Sequence, residues 1–73
     1  MKVRIRLDTI TDIANFVLIA NSTSKSVKLI DNEGLCVDAK SFLGVAYAQE
    51  FKDLWCVSEE DLYSKLEPYI VNE

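Results

Sequence analysis

Residues Lys2 to Leu7 alternate without a break, with Val3, Ile5 and Leu7 on one side and Lys2, Arg4 and Arg6 on the other. An extended chain sends successive side chains to opposite faces, so this period of two predicts a strand with one buried face. Such a strand commits the chain to a sheet, and the sheet to a covering layer. The covering layer is announced at once. Asp8, Thr9 and Thr11 offer N-caps, and Ile10, Ile13, Phe16, Val17 and Ala20 recur at helical spacing up to the polar run 21–24.

Alternation returns from Ser26 to Asp31, and a second short apolar run, Leu35 to Val37, follows Asn32-Glu33-Gly34. This reads as a hairpin in which Gly34 supplies a positive φ. Phe42, Val45 and Ala46 share a helical face behind Ser41, a natural N-cap, which predicts a short helix over Ser41 to Ala48. Phe51 to Val57 reads as a fourth strand. Ser58 then stands where an N-cap would, with Glu59, Glu60 and Asp61 in the first turn of a last helix that buries Leu62, Leu66 and Ile70. Pro68 is expected to kink its final turn. The order is strand, helix, strand, strand, helix, strand, helix: an α+β domain with its helices on one face of an antiparallel sheet.

With 73 residues the chain is expected to be one domain, 1–73. A hydrophobic fraction of 49 % with 27 % charged residues is the balance of a folding chain. The net charge is -4 and no Lys/Arg-rich run occurs, so nucleic acid is not an expected partner. The longest apolar stretch, Phe16 to Ala20, falls far short of the roughly 20 residues of a membrane span. The mixed N-terminus does not read as a signal peptide, and the expectation is a cytoplasmic protein. Cys36 and Cys56 fit no zinc pattern and are expected as free thiols, Cys56 in the core and Cys36 on another strand. No metal or other cofactor is expected.

One segment resembles a known family. Gly34-Leu35-Cys36-Val37-Asp38-Ala39-Lys40-Ser41-Phe42-Leu43-Gly44-Val45 is similar to the region around the regulatory serine of the phosphocarrier HPr family, through Lys-Ser-apolar-apolar-Gly beyond a hairpin glycine. The likeness extends weakly over the whole chain. It implies an HPr-like open-faced β-sandwich, βαββαβα, with strand order 1-4-2-3. The family's phosphate-accepting histidine lies just before the first helix and is followed by an arginine. Counted back from Ser41, Ile10 takes the place of the histidine and Asp12 that of the arginine, and the chain has no histidine at all. Isoleucine has no nucleophilic atom and an aspartate repels phosphate, so a degenerate phosphocarrier site is implied.

Ser41 is what the resemblance leaves as a phosphorylation candidate, with Lys40, Phe42, Leu43 and Gly44 as its recognition context. Helix capping alone would also account for a serine there. The expected function is a non-catalytic regulatory or interaction protein related to the bacterial sugar phosphotransferase system. Its partner would be a protein such as an HPr kinase or a transcription regulator, as for the family's histidine-lacking Crh-like members. The alternative is a scaffold module, never phosphorylated, that binds a protein through the open sheet face around Trp55, where Arg4 and Arg6 can stack on the indole or pair with Asp53. A phosphate relay through Thr9, Thr11 or Asp12 is a third reading, weakened because all three are ordinary capping residues. A ferredoxin-like domain shares most of the element order, but the strong helix-start signal at Ser58 favours a third helix. Asp61 and Lys65 are spaced for an ion pair on that helix, and Glu67 and Glu73 need no role beyond solubility.

Overall fold

A computed structural model describes residues 1–71, and Glu73 lies outside them. In chain order the elements are β1 (Lys2–Ile5), α1 (Ile10–Ala20), β2 (Val27–Ile30), β3 (Cys36–Asp38), α2 (Phe42–Ala48), β4 (Leu54–Ser58) and α3 (Tyr63–Leu66), the last continued by a 3-10 turn, Glu67–Tyr69. The four strands form one antiparallel sheet in the order β1-β4-β2-β3, which is the order the resemblance implied. β4 lies between β1 and β2, so those two run parallel to each other with α1 as their connection.

Alternation within the strands sorts the side chains as read from the sequence. Ile5, Val27, Leu29, Leu54 and Cys56 are buried against the helices, where they meet Ile13, Phe16 and Ala20 of α1 and Val45 and Ala48 of α2. Leu62 and Leu66 close the core from the C-terminal side. Full burial of side chains such as Phe16, Ile13 and Leu29 contributes about 1.5–3 kcal/mol each. No helix among the described residues is long and apolar enough to cross a membrane.

α1 starts as its residues dictate. Thr9 is the N-cap, its hydroxyl accepts from the Asp12 amide, and the Asp12 carboxylate accepts in return from the Thr9 amide, completing a capping box. Ile10 departs from expectation. It occupies the first position of the helix, off the face set by Ile13, Phe16 and Ala20, and is 71 % exposed. The β2–β3 hairpin turns on Asp31, whose Oδ1 accepts from the amides of Glu33 and Leu35, and on Gly34 at φ +99°.

The second half of the chain corrects three expectations. β4 begins at Leu54 rather than Phe51, because Asp53 adopts a left-handed φ of +57° that turns 51–53 out of the ladder. Ser58 does not cap a helix. It is the last residue of β4, buried, and its Oγ accepts from the Glu60 amide in a local turn. The last helix starts only at Tyr63, whose amide is held by Asp61 Oδ1, so Asp61 sits ahead of the helix and forms no pair with Lys65. Lys65 Nζ reaches Ser22 Oγ instead.

Beyond Pro68 the chain straightens. Ile70 pairs with Ile5, the Arg6 amide donates to the Tyr69 carbonyl, and the Val71 amide donates to the Arg4 carbonyl. The C-terminal segment therefore covers the outer edge of β1, which the strand order by itself leaves open.

Candidate functional site

Ser41 stands at the junction between β3 and α2. Its backbone is extended, φ -96° and ψ 117°, and its hydroxyl accepts from the Gly44 amide at 3.1 Å, an N-cap. The side chain is exposed. Gly44 suits a close approach, since a β-carbon there would stand 3.3 Å from the Asp38 carbonyl and 3.4 Å from the Ser41 β-carbon, and these neighbours would have to give way slightly. The entrance to α2 is further fixed by Asp38, whose carboxylate accepts from the Lys40 amide and whose carbonyl accepts from the Ser41 amide.

Lys40 is tied down. Its Nζ donates to the Thr23 carbonyl at 2.7 Å, and its own carbonyl accepts from Asn21 Nδ2 at 3.2 Å. Its charge thus satisfies the loop after α1 and pins that loop to the start of α2. Phe42 and Leu43 face outward, 42 % and 80 % exposed, whereas Val45 is buried. Tyr47 on α2 and Leu18 on α1 are also largely exposed, and α1 packs on α2. The two helices carry a single charged residue between them, the capping Asp12. An exposed helical surface is ordinarily the most charged part of a small protein, so this one is set apart.

Leu18 and Tyr47 were not singled out from the sequence. Both were detectable as apolar residues off the buried spacing of their helices, Ile13-Phe16-Ala20 and Val45-Ala48. Trp55, by contrast, lies where alternation put it, on the sheet face opposite the helices, half-buried, with Arg4 as its cross-strand neighbour on β1 and Ile30 on β2. The cation over its ring is Lys2, with Nζ 5.1 Å from the ring centroid, and Arg4 is paired with Asp53.

Ile10 and Asp12 lie together at the start of α1. The Asp12 carboxylate accepts from the amides of both Asp8 and Thr9, at 3.0 and 3.2 Å. The position that an anion would take at this helix end is filled by the chain's own carboxylate. A groove of about 340 Å³ runs between the end of β1 and residues 51–53; of its cations Arg4, Arg6 and Lys52, the two arginines are paired with Asp53 and Asp8. Among the described residues no three His, Cys, Asp or Glu side chains gather as metal ligands would.

Cys36 is exposed on β3 and Cys56 is buried on β4, both as free thiols. Burial pushes the Cys56 thiol from 9.0 up to about 11. It is a core side chain rather than a nucleophile.

These features define an open-faced α+β domain with an apolar helix face nearly free of charge and a first helix capped by its own Asp12 carboxylate. No family model, curated protein or solved structure matches the chain.

Proposed function

We propose that this chain is a non-catalytic, HPr-like regulatory or interaction protein of a bacterial cytoplasm that meets a protein partner through the helix face beside Ser41. Ser41 is the residue at which phosphorylation controls that contact. The observation that carries the reading is the exposed Ser41 hydroxyl at the N-cap of α2, bordered by the exposed apolar side chains of Phe42 and Leu43. An exposed hydroxyl is accessible to a kinase, and apolar side chains next to it give a partner something to bury. Gly44 supports the reading by bringing the backbone of α2 close to Asp38, so the hydroxyl is held on a rigid element. Lys40 belongs to the site as a positioning residue, through the Thr23 carbonyl.

Phosphorylation would add about -1.5 to -2 charge to a helix face that otherwise carries almost none, which is enough to change what binds there. Phosphohistidine chemistry is closed to the chain, because it contains no histidine. The self-capped start of α1 agrees with a regulatory role in which Ser41, not the old acceptor position, carries the phosphate.

The test is intact-mass analysis of the protein after incubation with ATP and an HPr kinase, beside authentic HPr and the Ser41→Ala variant. One added phosphate that the variant lacks is the expected result. An unchanged mass while HPr is modified in the same mixture would remove the kinase from the proposal and leave Ser41 as a helix cap.

A further inference from the structure

The outward positions of the four strands form a small grid. Register places Lys2, Val57, Lys28 and Asp38 side by side in one row across the sheet, and Arg4, Trp55, Ile30 and Cys36 in the next. The face thus has an apolar centre, Trp55 with Val57 and Ile30, and carries the cations Lys2, Arg4 and Lys28 against the carboxylates of Asp38 and of Asp53, the partner of Arg4. The other described residues reverse this balance, with five cations against nine carboxylates. A chain of net charge -4 has gathered positive charge on one face, around its only tryptophan.

Among the described residues, Tyr63 of α3 and Ile70 and Val71 of the C-terminal segment border this face beside Lys2, Arg4 and Trp55. Lys2 covers part of it, with Nζ 5.1 Å from the centre of the Trp55 ring. A lysine held over an aromatic by cation–π attraction keeps a long, flexible stem and can move its head to an incoming carboxylate while its methylenes stay on the ring. Lys28 on β2 stands opposite Asp38 on β3 and flanks the apolar centre on the side away from Lys2.

We propose that the open sheet face is a second docking surface, for an acidic protein segment that sets an apolar side chain against Trp55 and carboxylates against Lys2 and Lys28. The face is narrow, three strand spacings of about 4.8 Å from β1 to β3, which suits one short segment and a weak, transient contact. Its charge selects the class of partner. A short acidic segment is met by Lys2 and Lys28, whereas a long polyanion such as a nucleic acid also meets the excess of carboxylates over the rest of the molecule. The surface lies on the side of the sheet opposite the helices that carry Ser41 and Leu43.

Trp55 is the reporter, since no other tryptophan contributes to the emission. The unphosphorylated protein is titrated at low salt with a short synthetic peptide of alternating glutamate and leucine, and in parallel with oligothymidylate. The expected result is a saturable change in Trp55 emission with the peptide that weakens about tenfold in the Lys2→Glu, Lys28→Glu double variant, weakens with added salt, and is retained in Leu43→Asp. No saturable change in the wild type would overturn the proposal. So would equal binding by the double variant, or a response to oligothymidylate with none to the peptide. Because Ser41 is unmodified throughout, none of these outcomes bears on its phosphorylation.

Discussion

At the scale of single residues, the two helix starts show how a side chain can be committed before any partner arrives. Thr9 and Asp12 satisfy each other's amides at the head of α1, and Ser41 satisfies Gly44 at the head of α2. Replacing Thr9 by alanine frees the Asp12 amide and is expected to lower stability by about 1 kcal/mol, measured as a shift in the urea midpoint at constant m-value. A Thr9→Ala protein with an unchanged midpoint would mean that the capping box is not formed in solution. Thr9, Asp12 and Ser41 were legible as caps because capping chemistry is local. The exposure of Ile10 and the tethering of Lys40 to Thr23 were not, since both depend on where α1 and its following loop come to rest.

At the scale of elements, the C-terminal stretch departs furthest from its sequence signals. Ser58 followed by three acids has every local mark of a helix start, yet strand pairing with Val27 takes Ser58 into β4 and delays the helix to Tyr63. Ladder hydrogen bonds and burial outweigh the cap preference of one residue. The released length then runs back along β1. The Arg6 and Val71 amides, although both lie outside the regular strands, are bonded across this edge and are expected to exchange with deuterium more slowly than the amides of the β2–β3 turn. Exchange at turn-like rates for both would show the edge of β1 to be open. A shut edge also leaves β3 as the strand at the free side of the sheet, with Cys36 exposed upon it.

For the molecule as a whole, one buried group links stability to pH. The Cys56 thiol is raised to about 11 when folded, above its ordinary 9.0, so its contribution is fully present below pH 9 and is lost as pH rises through 11. A shift of this size corresponds to about 3 kcal/mol between the two limits. Denaturant midpoints are therefore expected to fall between pH 9 and 11 in the wild type, with a shallower fall in Cys56→Ala. Parallel pH profiles for the two proteins would mean that the thiol ionises freely in the folded state. The element order, the alternation that puts Trp55 opposite the helices, the caps at Thr9 and Ser41 and the absence of a phosphohistidine follow from the sequence by itself, because each is a matter of neighbouring residues or of composition. Which edge the C-terminal segment closes, which apolar residues of α1 and α2 are left to solvent, and that Lys2 rather than Arg4 or Arg6 lies over Trp55 were decided by the tertiary structure alone. They are properties of surfaces assembled from segments far apart in the chain, and no local pattern of residues records which segments will meet.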